Sequence, residues 1–122
     1  MRKPTPPEAA YAWHTKALED LKLGFMLEVN NAPCCGFFKT RLVRGGPWVP
    51  AQIFLDGETD AAGDLVEDEY FRCLVNGRYV DAGEQWHYLA GHPSSKEEVD
   101  YITALQQYAV EHAPSEPLAN PR

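Results

Sequence analysis

The stretch Gly36–Leu55, GFFKTRLVRGGPWVPAQIFL, is the longest apolar-rich segment of the chain with a period of two. Successive side chains of a strand point to opposite faces of its sheet, so this pattern predicts two strands. Gly45-Gly46-Pro47 separates them, because glycine tolerates a positive φ and proline fixes its own φ. Pro50 lacks a backbone donor. The second strand is therefore predicted to lie at a sheet edge or to carry a bulge.

A second pair of strands is predicted at Tyr70–Asp81, YFRCLV-NG-RYVD. Two alternating runs are joined by Asn76-Gly77, the pattern typical of a two-residue type I′ hairpin. Between the two pairs lies Asp56–Glu69, which holds seven acidic residues and no basic one. Repulsion between like charges predicts an exposed, mobile loop there. The strands together indicate an antiparallel meander of about four strands, which the glycines and Pro50 would allow to curl.

The N-terminal region has helical periodicity. Thr5 and Glu8 have the spacing of a capping box, and Gly24 is placed to end the helix, so residues 6–23 are predicted to be helical with Trp13 facing the sheet. His14 lies beside the apolar stripe and is interpreted as a boundary residue. The following connector is predicted to bury its apolar start, the residues Phe25-Met26-Leu27.

The C-terminal region contains a second long helical pattern. Ser94 or Ser95 can cap it, and its apolar stripe is Val99, Ile102, Leu105 and Ala109. One or two helical turns are also predicted within Asp81–Leu89. The fold class is therefore α+β, with N- and C-terminal helices packed on the sheet. Residues 1–113 form a single globular domain in this interpretation, and residues 114–122, which hold three prolines, form a flexible tail.

The composition restricts the class of protein. The 122 residues are 44% hydrophobic and 24% charged, and the formal net charge is −7. That charge argues against wholesale binding to nucleic acid or anionic membranes. The sequence shows neither a bilayer-spanning apolar run nor a signal peptide, so a cytoplasmic location with no membrane partner is expected. An odd count of three cysteines indicates reduced thiols.

No residue pattern predicts a metal site, a cofactor or a catalytic residue. Five positions of a Ca²⁺-binding EF-hand loop are matched by acidic residues: Asp56, Glu58, Asp60, Asp64 and Glu67. Ala61 stands where such a loop needs glycine, so a solvated loop is the favoured interpretation. The candidate zinc ligands lack chelating spacing: Cys34, Cys35, Cys73, His87 and His92. Neither cysteine nor serine lies in a local nucleophile pattern.

The predicted sheet has one apolar face and one mixed face. Side chains expected in the core are Phe38, Leu42, Ile53, Phe71, Cys73 and Val75. The opposite face is predicted to present Phe37, Lys39, Arg41, Trp48, Gln52, Phe54, Tyr70 and Arg72. Interleaved aromatic and basic groups suit base stacking with phosphate pairing, and they also suit a protein-binding hot spot. A third interpretation is that a terminal helix covers this face and the basic groups lie at its rim.

The segment GFFKTRLVRGGPWVPAQIF resembles one in small, uncharacterised proteins of bacteriophages and prophages. Trp86–Ile102, WHYLAGHPSSKEEVDYI, is similar to a second segment of the same group. That group typically has Ile-Ser after the proline and Glu-Tyr in the helix, where this chain has Ser94-Ser95 and Asp100-Tyr101. The resemblance implies a source and no particular activity.

The residue patterns indicate a non-enzymatic protein that binds another macromolecule. The resemblance implies that it is an accessory protein of the phage or prophage type, and a host or phage protein is the expected partner. The alternative is a regulatory protein that binds nucleic acid through the aromatic and basic sheet face. An enzyme of unrecognised type is a third interpretation. The oligomeric state is left open.

Overall fold

The computed structural model describes residues 2–112, so the predicted tail at 114–122 lies outside the described residues. The fold is α+β, as predicted. Its elements are α1 (Pro7–Ala10), α2 (Ala12–Lys22), β1 (Gly36–Thr40), β2 (Val49–Asp56), β3 (Tyr70–Val75), β4 (Arg78–Val80), α3 (Ala82–Leu89) and α4 (Lys96–His112). The sheet has the order β1-β2-β3-β4 with antiparallel pairs throughout, and it is an open meander.

The main core lies on one face of the sheet. Alternate residues of β1, β2 and β3 are buried there: Phe38, Val49, Ala51, Ile53, Cys73 and Val75. The indole of Trp86 in α3 meets the Phe38 ring edge-on at 5.8 Å, and Trp13 of α2 stacks on the same ring at 6.2 Å. Trp13 therefore faces the sheet as predicted. Phe71 points to this face but lies beyond the helices, so 42% of the residue is exposed. Its predicted burial is therefore wrong.

The predicted N-terminal helix is interrupted. Tyr11, at φ −97° and ψ 14°, separates α1 from α2. The predicted capping by Thr5 is wrong, because its hydroxyl and its backbone N–H bind Glu69 of the acidic loop. The predicted end of the helix is confirmed. Gly24 has φ +82°, and the N–H of Phe25 donates to the carbonyl of Asp20, as in a Schellman motif.

The turn between β3 and β4 is as predicted. Asn76 and Gly77 both have positive φ, at 52° and 79°. The prediction for Pro50 is wrong, because β2 is a central strand that pairs with β1 and β3. Pro50 lies opposite Lys39 in β1, while β3 has already reached its turn at Asn76. Its carbonyl accepts a hydrogen bond from the Asn76 N–H at 2.9 Å, so its missing donor faces the turn at the end of the β2–β3 ladder and not the interior of the sheet.

The helices α3 and α4 begin as predicted. Asp81 accepts a hydrogen bond from the N–H of Glu84 at 2.8 Å, and Ser95 accepts one from Glu98 at 3.1 Å. The predicted stripe of α4 packs inwards, with Val99, Ile102 and Ala109 buried and Leu105 half-buried. The helix α4 lies on the face opposite the main core. It is joined to β1 through Glu98 and to the β3–β4 turn through Gln106, so it crosses one end of the sheet.

Candidate functional site

The mixed face predicted from the sequence is divided by the helices. Phe37 is half-buried beneath Tyr11, whose ring stacks on it at 5.8 Å. The helix α4 crosses the neighbouring end of the face. The predicted site residues consequently fall into three groups. These are Phe37 under Tyr11, then Lys39, Arg41 and Trp48 at one end, and finally Phe54, Tyr70 and Arg72 at the other.

The second group forms a compact cluster around the ring of Trp48. The Arg41 guanidinium carbon lies 4.0 Å from the ring centroid, and Lys39 Nζ lies 5.0 Å from it. The His92 ring approaches edge-on at 5.2 Å and was not among the predicted site residues. We call Lys39, Arg41, Trp48 and His92 the aromatic-basic patch. His92 could not be placed here from the sequence, because it arrives from the segment between α3 and α4.

Only part of the charge of the aromatic-basic patch is compensated. Lys39 Nζ pairs with Glu98 at 2.7 Å. Among residues 2–112, Arg41 takes part in no ion pair, and it is exposed. Its guanidinium lies over the Trp48 ring on an exposed residue. Such a group can take a carboxylate or a phosphate through two parallel hydrogen bonds.

In the third group, Phe54, Tyr70 and Arg72, the positive charge is compensated by a neighbouring carboxylate. Arg72 lies over the Tyr79 ring at 4.0 Å and pairs with Asp56 at 3.2 Å. Hydrogen bonding to Asp56 raises the pKa of Arg72. Tyr70 is exposed, and Phe54 is half-buried beside the N-terminal arm. This end of the face therefore presents tyrosine rings with little uncompensated charge.

A surface that the sequence did not indicate lies at the end of α2 and in the connector after it. Five large apolar side chains are exposed within nine residues: Leu21, Leu23, Phe25, Met26 and Val29. We call Leu21–Val29 the apolar segment. The predicted burial of its middle part is wrong, since Phe25 is 61% exposed and Met26 90% exposed. Trp13 and Trp86 already fill the core under α3, so the connector passes outside it.

The backbone after Met26 is fixed by those same tryptophans. Trp13 Nε1 donates to the carbonyl of Glu28 at 2.8 Å, and Trp86 Nε1 donates to that of Asn30 at 2.8 Å. The run of apolar residues without helical or strand period was the only sequence signal for this surface. It could not distinguish a buried segment from an exposed one.

The acidic loop is bound by the N-terminal arm. Lys3 Nζ pairs with Asp64 at 2.8 Å, Arg2 pairs with Asp68, and the Leu65 N–H donates to the Arg2 carbonyl at 2.7 Å. Asp64 is buried. Much of the loop is exposed, as predicted, but its charge is partly compensated. Within residues 2–112 there is no group of three or more histidine, cysteine or acidic side chains placed to hold a metal ion.

The three cysteines are free thiols. Burial raises the pKa of Cys35 and of Cys73 to about 11 in each case. Both thiols are therefore protonated at neutral pH and are poor nucleophiles.

No family model, curated protein or solved structure matches this chain. In the part of the chain that the structure describes, no helix has the length and apolar character needed to cross a membrane.

Proposed function

We propose that this chain is a non-enzymatic accessory protein, of the phage or prophage type that its sequence resembles, and that it binds a host or phage protein. The observation that carries the proposal is the exposure of the apolar segment Leu21–Val29. Its five exposed apolar side chains lie within nine residues of the chain, and large exposed apolar patches on monomeric soluble proteins mark interaction sites. Burying it against a partner contributes about 25 cal/mol per Å² of apolar surface.

The apolar segment is also held ready for binding. The Schellman motif at Gly24 fixes its first part, and the indole donors of Trp13 and Trp86 fix the backbone at Glu28 and Asn30. A partner then meets side chains on an ordered backbone, so less conformational entropy is lost on association. Met26 adds an unbranched thioether that adapts to irregular partner surfaces.

The test is a double substitution, Phe25→Asp with Met26→Asp, in the immobilised protein used to capture partners from host lysate. Both side chains are exposed, so the variant should fold normally. A central apolar anchor contributes about 2 kcal/mol or more to binding, equivalent to about thirtyfold in Kd. We expect the captured partner, once purified, to bind the variant at least thirtyfold more weakly by calorimetry.

The matched control is Tyr101→Asp with Tyr108→Asp in α4, where each tyrosine is 63% exposed. This pair removes exposed aromatic surface elsewhere and should leave binding unchanged. A partner that binds the Phe25 and Met26 variant as tightly as the wild type would show that the apolar segment is not the interface.

A second candidate function is binding of single-stranded nucleic acid by the aromatic-basic patch. It is favoured by the stacking of Arg41, unpaired within residues 2–112, on Trp48 at 4.0 Å. Bases stack on aromatic rings and phosphates pair with arginine, each stacked base contributing about 1–3 kcal/mol. The formal net charge of −7 opposes this function.

The two functions are separated by fluorescence anisotropy with a labelled oligo-dT strand. If nucleic acid is the ligand, Arg41→Ala and Trp48→Ala should each weaken binding, and the logarithm of the affinity should fall linearly with that of the salt concentration. Arg72→Ala is the control, because Arg72 is paired with Asp56. Absence of binding at low salt would exclude this second function.

A further inference from the structure

A groove runs along α4 where that helix crosses the sheet, on the face opposite the main core. One wall is formed by Val99, Thr103 and Gln106 of α4, and the floor by Phe37, Gln52 and Leu74 of three neighbouring strands. Its volume is about 490 Å³. Ligand sites for small molecules commonly have volumes of about 300–1,000 Å³, so this groove has room for one.

The floor of the groove is flat and largely apolar. Phe37, Gln52 and Leu74 lie side by side across β1, β2 and β3, because Phe37 pairs with Gln52 and Gln52 with Leu74. The Phe37 ring at one side of the floor is held by the ring of Tyr11, which stacks on it at 5.8 Å. A planar molecule lying on this floor would bury one face against the strands and one edge against α4.

The polar groups of the groove are side-chain amides. Gln106 Nε2 donates a hydrogen bond to Asn76 Oδ1 at 2.9 Å. Among residues 2–112, the side-chain oxygen of Gln106 and the side-chain nitrogen of Asn76 make no hydrogen bond of their own. Gln52 contacts Tyr11 Oη only at 3.4 Å, through its nitrogen, so its carbonyl is also open. Each amide offers a donor and an acceptor side by side.

The charges at the groove compensate each other. Lys96 and Asp100 both border it, and their side chains pair with each other at 2.9 Å. An ionic ligand would have to break this pair or remain without a partner of opposite charge. A neutral ligand would leave the pair intact.

We propose that the α4 groove binds a small, uncharged, planar molecule whose edge carries an adjacent hydrogen-bond donor and acceptor. The ring packs on Phe37 or Leu74 to one side of Gln52, so that its edge meets the amide of Gln52 and, on α4, the amide of Gln106. This site lies apart from the apolar segment and is independent of the proposed protein partner.

The test compares two planar six-membered rings, uracil and benzene, of which only uracil has an amide edge. Each is added at millimolar concentration to the ¹⁵N-labelled protein, and the side-chain NH₂ signals of Gln52, Asn76 and Gln106 are followed by NMR. We expect uracil to shift these signals and to bind more tightly than benzene. Gln52→Leu should weaken uracil binding about tenfold, by leaving a polar edge unpaired.

Gln106→Leu on α4 serves as a second variant in case Gln52→Leu disturbs the central strand, and it should weaken uracil binding similarly. Gln107→Leu, at the adjacent exposed position of α4, is the control and should bind as the wild type does. Equal binding of benzene and uracil would overturn the recognition by amides. Signals that stay unchanged, or that shift only outside the groove, would overturn the site itself.

Discussion

Gly36→Ala tests the packing of α2 against the edge strand β1. A Cβ at Gly36 would lie 2.7 Å from His14 Cδ2 and 2.9 Å from His14 Cγ. Carbon atoms in contact are normally about 3.5–4.0 Å apart. The imidazole would therefore have to move. It is held in place, however, because Nε2 lies 3.0 Å from the Phe37 carbonyl oxygen and 2.8 Å from that of Ser94.

The expected cost follows from these contacts. Overpacking a buried site costs about 1–3 kcal/mol, and weakening the hydrogen bond that Nε2–H donates to the two carbonyls adds about 1 kcal/mol. We expect Gly36→Ala to lower the free energy of unfolding by about 2–4 kcal/mol. With a urea m-value of about 2 kcal/mol/M, the midpoint should fall by about 1–2 M. Tryptophan fluorescence reports the transition, since Trp13 is on the same helix as His14.

The explanation is checked by a double-mutant cycle. In a His14→Ala background the obstructing ring is gone and only the Cβ of that residue remains, at 3.0 Å, so Gly36→Ala should then cost clearly less than it does in the wild type. Gly91→Ala is the control, because a Cβ there meets nothing within 4 Å. The reasoning is refuted if Gly36→Ala leaves the midpoint unchanged, or if it costs the same with and without the His14 ring.

Three further outcomes are expected. Burial lowers the pKa of His14 below 6.5, so as the pH falls the imidazole is protonated in the unfolded chain before it is protonated in the folded one. The contribution of neutral His14 to the free energy of unfolding should therefore be complete above pH 6.5 and decrease as the pH falls below that value. His14→Gln should remove this pH dependence from a stability–pH profile. Gly77→Val should lower stability by about 1–3 kcal/mol, because valine is strained at φ +79°; an unchanged melting temperature would contradict this. Iodoacetamide at pH 8 should label the half-exposed Cys34 first, with Cys35 and Cys73 reacting only on unfolding, as mass spectrometry would show.

The elements that local rules govern could be predicted from the sequence. The alternation in Gly36–Leu55, the Asn76-Gly77 turn and the caps at Asp81 and Ser95 each depend on residues within a few positions of one another. The meander then follows from the tendency of strands that are consecutive in the chain to pair with each other. Pro50 does not mark an edge strand, although proline is usual there, because β2 pairs on both sides. The structure shows that the position opposite it on β3 is already a turn.

Contacts between distant residues could not be predicted in this way. His14 was interpreted as a boundary residue, yet it is buried and joins β1 to the segment before α4, at carbonyls of residues 37 and 94. The exposure of the connector likewise depends on Trp13 and Trp86, which meet at 5.3 Å and fill the space the connector would need. No residue near the connector in the sequence indicates that these tryptophans exclude it from the core.

Residues that share one face of the sheet do not all belong to one candidate site, because α4 covers only part of that face. The strand β2 has eight residues and extends about 26 Å, whereas a helix crossing it covers about 10 Å. One crossing helix therefore leaves most of that face to be covered by other parts of the chain. Which end α4 covers is decided by Glu98 with Lys39 and by Gln106 with Asn76, pairs that lie 59 and 30 positions apart. Because α4 crosses at those residues, a groove opens along its side, and Arg72 stays uncovered at the far end. The groove and the exposed positions on this face of the sheet are thus set by the path of one helix.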